Sequence, residues 1–81
     1  MSEFAIIELF VSQGEVNWHR TLEQFPSLEE AQLYKESNYR PKGFYWTGLK
    51  EYKIVEFLNG KLQQCWGCNM TCKLYLENQL G

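Results

Sequence analysis

Asn59-Gly60 separates the run Tyr52–Leu58 (YKIVEFL) from the run Lys61–Trp66 (KLQQCW). Two-residue connections of this kind serve type I′ turns, which need positive φ at both central positions and carry the twist that joins antiparallel strands. No other local signal in the chain is so restrictive. It commits residues 52–66 to a β-hairpin and turns the fold into a question of what pairs with that hairpin and what covers it.

Residues 4–11 (FAIIELFV) supply the next strand, because β-branched and aromatic side chains fit a pleated surface. Phe4, Ile6 and Glu8 alternate with Ala5, Ile7 and Leu9, so both faces are mainly apolar. That pattern belongs to a central strand covered on both sides. Ser12-Gln13-Gly14-Glu15 then reads as a tight turn. Val16–Phe25 fits two templates. As a strand it places Val16, Trp18, Arg20 and Leu22 on one face; as a helix it places Trp18, Leu22 and Phe25 at i, i+4 and i+7. The short connection before it favours a second hairpin.

Ser27-Leu28-Glu29-Glu30 is a capping box, in which a Ser oxygen and a Glu carboxylate serve the free N–H groups of a helix start. Glu29 and Glu30 also suit the positive end of the helix dipole. Pro41 stops the helix, which should end near Ser37–Tyr39. Phe44–Leu49 can add a short strand before the Asn-Gly hairpin. The tail from Gly67 admits two forms, a short helix capped by Asn69 and holding Met70, Leu74 and Leu76, or an irregular arm. The expected architecture is α+β: an antiparallel sheet of about four strands in the order β-β-α-β-β, one helix on a face, and a Cys-containing tail. With 81 residues this is expected to be a single domain, residues 1–81, close to the size at which a core needs a staple or a partner.

All ten acidic residues are Glu, so Asp nucleophiles and EF-hand loops are excluded. The net charge of −2 selects no class of partner by itself. Residues 1–30 hold six Glu and one Arg, a net of −5, and residues 31–81 hold seven basic and four acidic groups, a net of +3. The apolar stretch Phe4–Val11 is too short for a membrane span and lacks the basic flank of a signal peptide. The expected location is the cytoplasm, where thiols stay reduced, with no membrane partner.

Three groups of residues could carry function. Cys65, Cys68 and Cys72 lie within eight residues, at gaps that suit thiolate coordination of zinc. His19 is the only imidazole and could complete the set if residues 16–25 pair beside the C-terminal hairpin. The same cysteines admit a thiol-dependent role, since Cys65 and Cys68 form a CxxC pair. The segment Tyr34–Lys53 interleaves five basic residues with six aromatics, the composition of single-stranded nucleic-acid binders. Within it Lys42-Gly43-Phe44 resembles the opening of the longer RNA recognition motif signature, and Leu9-Phe10-Val11 resembles the start of the shorter one. Tyr45 then stands where that family has a small residue, and Gln13-Gly14 replaces Asn-Leu, so membership is not assigned.

Phe44-Tyr45-Trp46 cannot all face inward from one strand, because successive side chains point to opposite sides. An outward aromatic beside Arg40 and Lys42 has the composition of an interface hot spot. One His, no Asp and no glycine-rich phosphate loop leave no assembled catalytic set, so the chain is not expected to be an enzyme. The leading expectation is a small non-catalytic protein-binding module, a regulator or inhibitor acting through Arg40, Lys42, Phe44, Tyr45 and Trp46. Its partner is another protein or a second copy, and it needs no cofactor. The alternatives are a zinc-binding or thiol-dependent module built on Cys65, Cys68, Cys72 and His19, and a single-stranded nucleic-acid binder using residues 34–53.

Overall fold

The computed structural model describes residues 2–39 and 48–80. Its elements are β1 (Ser2–Ser12), β2 (Glu15–Phe25), α1 (Leu28–Asn38), β3 (Leu49–Leu58), β4 (Lys61–Trp66) and α2 (Met70–Leu80). The protein is α+β, with one four-stranded antiparallel sheet in the spatial order β2-β1-β3-β4.

Both tight turns follow from residues that tolerate positive φ. Gln13 and Gly14 sit at 54° and 77°, and Asn59 and Gly60 at 54° and 81°, so each hairpin closes through a left-handed pair. β1 pairs with β2 over Phe4–Ser12 on one side and with β3 over Ser2–Val11 on the other, which makes it the central strand its two apolar faces require. Residues 15–25 form the strand of the two templates. Their pairing with β1 is interrupted at two register shifts, opposite Ile6/Ile7 and Phe10/Val11. Such irregularities raise the twist of an edge strand and make it a poorer template for further pairing. β3 begins at Leu49, three residues earlier than the apolar run suggests. Gly48 precedes it at a place where a side chain would collide with the Val11 carbonyl oxygen and stand 2.9 Å from the Phe10 ring. Only glycine allows that backbone approach.

The period of two in β1 separates two clusters. Ala5, Ile7 and Leu9 meet Val55, Cys72 and Leu76 on one face of the sheet. Ile6 meets Ile54 and Ala31 on the other. One helix therefore covers each face, α2 the first and α1 the second. Of the two forms open to the C-terminal tail, the chain adopts the helix, α2. Its covering role explains why an 81-residue chain can bury both sides of its central strand.

Capping chemistry starts both helices. The Ser27 hydroxyl oxygen accepts from the Glu30 N–H at 3.2 Å and donates to the Glu30 carboxylate at 3.0 Å. The carboxylate thus returns to the hydroxyl of the cap residue. α1 ends at Asn38, where the Tyr39 N–H donates to the Lys35 carbonyl. In α2, Asn69 Oδ1 accepts from the Cys72 N–H at 2.9 Å, which makes Asn69 the cap that its position suggests. Asn69→Ala is expected to cost about 1 kcal/mol, read as a lower urea midpoint at unchanged slope.

Candidate functional site

α2 turns Cys72 and Leu76 into the core and leaves Met70 and Leu74 outside, 67% and 52% exposed. Both pairs are spaced i, i+4, so each forms a stripe along one line of the helix, and the two stripes point in opposite directions. The outer stripe is flanked by exposed Thr71, Lys73, Glu77 and Asn78. α1 adds Leu33 outward on the far face of the sheet, with Tyr34 partly exposed beside it. On β2, Trp18 is exposed at its rim while its indole stacks on Phe10 at a centroid distance of 5.6 Å.

The cysteines occupy the junction of β4 and α2. Cys65 and Cys68 are joined in a disulfide, with their Cα atoms 6.0 Å apart. Cys72 is a free thiol buried under α2. Burial pushes its pKa up, the Glu51 carboxylate adds to the rise, and the Lys53 ammonium group opposes it. Lys53 is itself engaged twice, with Glu51 at 2.9 Å and as donor to the Gly67 carbonyl at 2.6 Å.

His19 lies across the sheet from this junction, because β1 and β3 stand between β2 and β4. Its Nδ1 is 3.0 Å from the Tyr75 hydroxyl, which donates to it when the ring carries its proton on Nε2. The pairing that would carry His19 to the cysteines is therefore not the one the chain adopts. Among the described residues no three His, Cys or Glu side chains are grouped to hold a metal ion.

The aromatic and basic segment divides. Tyr34, Tyr39 and Tyr52 form a chain of ring contacts with Phe25, each step 5.2–5.8 Å between centroids, over the α1 face. Phe25, Tyr39 and Tyr52 also pack against the Ile6, Ala31 and Ile54 cluster, so these rings seal the edge of a core. Arg40, Lys42, Phe44, Tyr45 and Trp46, the interface residues expected from the sequence, lie outside the described residues.

Among the described residues, clefts flank both helices. One, of about 310 Å³, lies beside α1 with Ile54 and Trp66 among its lining and Lys35 and Gln32 on its wall. Another, of about 330 Å³, lies between β4 and α2 and includes Leu62, Gln64, Cys65, Lys73 and Glu77. The outward Met70–Leu74 stripe is the site feature that sequence reasoning missed. Helical spacing groups Met70 with Leu74, but it does not say which of two equivalent stripes turns to the sheet.

No protein-family model, curated protein or solved structure matches the chain. None of its residues takes a role from a relative.

Proposed function

We propose that this protein is a small, non-catalytic protein-binding module that docks through the outer face of α2. The observation that carries this reading is the exposure of Met70 and Leu74 on a helix whose inner stripe already completes the core. Two large apolar side chains one turn apart are the anchors by which a helix enters an apolar groove on a partner. Methionine suits such contacts because its unbranched thioether adapts to irregular surfaces. Lys73 and Glu77 beside the stripe supply the polar rim that restricts the partner's orientation. The aromatic and basic stretch at residues 40–46 belongs to the same proposal as a second contact region.

The test places a photo-crosslinking residue at position 74 in the native host and repeats it with Met70→Glu present. One specific adduct is expected, and it should be lost in the variant. With the captured partner purified, Met70→Glu combined with Leu74→Glu should weaken binding at least about tenfold, the loss expected of hot-spot residues. The melting temperature should stay near that of the wild type, because neither side chain is in the core. Retention of full affinity by the double variant would sink the proposal. Sedimentation of the wild type over a concentration series separates a second copy from a different protein as the occupant.

A further inference from the structure

β4 ends at Trp66, and Gly67, at a φ of 79°, turns the chain into the short link that leads to α2. The disulfide within this turn closes only two intervening residues. A disulfide stabilises mainly by restricting the unfolded chain, and that effect grows with the loop it closes. As a staple, Cys65–Cys68 is therefore weak. As a chemical group it is better placed. Cys65 lines the cleft between β4 and α2, and the opposite wall of that cleft carries a cation and an anion one helical turn apart, Lys73 and Glu77.

We propose that Cys65–Cys68 is a thiol–disulfide exchange site whose substrate is a small zwitterionic thiol. It sits in the cleft with its carboxylate toward Lys73 and its ammonium group toward Glu77. This goes beyond the docking reading and takes up Lys73 and Glu77, which also border the Met70–Leu74 stripe. The substrate thiolate attacks Cys65 Sγ; the bond to Cys68 Sγ breaks, and Cys68 leaves as a thiolate that takes a proton from solvent. A second substrate thiolate then attacks the substrate sulfur of the mixed disulfide. It forms the substrate disulfide and releases Cys65, which is protonated in turn. Two substrate thiols lose two electrons and two protons, and the protein disulfide gains both as two thiols. Cys68 is the suited leaving sulfur because it directly precedes the Asn69 cap, where the N-terminal end of α2 favours negative charge. Cys72, 1% exposed, stays outside the exchange.

The test equilibrates the full chain in glutathione and glutathione disulfide, then quenches with acid, alkylates and reads masses. Two cysteines should convert together under native conditions, with Cys72 alkylated only after denaturation. Cys68→Ser treated with glutathione disulfide should accumulate a mixed disulfide at Cys65. Lys73→Ala should slow reduction by glutathione up to about fivefold, the worth of one exposed ion pair. It should leave the rate with uncharged 2-mercaptoethanol unchanged. Reduction that occurs only when the chain unfolds overturns the site, as does an adduct at Cys72 in the Ser variant. Equal slowing of both thiols by Lys73→Ala overturns the substrate class. If Cys68→Ser does not fold, native-state reduction of the wild type decides the matter alone.

Discussion

Ile7→Ala is expected to lower the unfolding free energy by about 3–5 kcal/mol, as for other large-to-small changes in a closed core. Ile7 is fully buried at the middle of the central strand, in the cluster with Leu9, Val55, Cys72 and Leu76. It is flanked on both sides by paired strands and covered by α2, so its neighbours cannot collapse into the space it leaves. A domain of this size has a total stability of about 4–12 kcal/mol. The substitution therefore removes a large share of it and should lower the melting temperature by about 15 °C or more. Urea unfolding followed by circular dichroism checks this, with an unchanged slope showing that the loss is in stability. Leu33→Ala provides the contrast. Leu33 is similar in size but lies on the solvent side of α1, so its loss should stay within about 0.5 kcal/mol. A similar cost for both would mean that the core is not where the two clusters place it.

The contrast also shows what kind of information the chain carries openly. Elements defined by local chemistry are legible in the order of the residues alone. The Asn59-Gly60 turn, the Ser27 cap and the two-faced pattern of β1 each depend on residues within a few positions of one another, whereas the Asn69 cap belongs to one of two forms open to the tail. What is not legible is set by packing at a distance. Met70–Leu74 and Cys72–Leu76 are equivalent by spacing, and only the sheet surface decides which pair turns inward. Trp18 and Arg20 look alike whether β2 lies at an edge or beside β4. The strand order resolves this, and with it the separation of His19 from the cysteines. The aromatic residues 34, 39 and 52 could equally have served a ligand. Their mutual ring contacts depend on α1 lying across β3, which no local pattern encodes.

Glu8 is the strongest case of that kind, and it carries the second large effect. In the sequence it merely interrupts an apolar run. In the fold it is 3% exposed at the centre of the sheet, opposite Arg20 on one neighbouring strand and Tyr52 on the other. Arg20 reaches it with Nη2 2.8 Å from Oε1, while most of the arginine side chain stays in solvent. A carboxylate taken out of water is tolerated only while it is paired. Arg20→Met should therefore cost about 2–3 kcal/mol, because it leaves the charge in place and removes its partner. Adding Glu8→Leu to that variant should return stability to within about 1 kcal/mol of the wild type, since an apolar pair of similar bulk needs no solvation. Chemical unfolding of the wild type, both single variants and the double variant closes the cycle. If the two single losses simply add in the double variant, the pair is not coupled and Arg20 acts through its packing alone. A double variant as stable as the wild type would mean that the ion pair contributes little net stability, which leaves selection of the register as a role for it. Sliding β1 by one residue against β2 would carry Glu8 to the α2 face, away from Arg20 and against Cys72 and Leu76. The apolar faces of β1 are too alike to forbid that slip by themselves, so a single buried charge supplies the distinction.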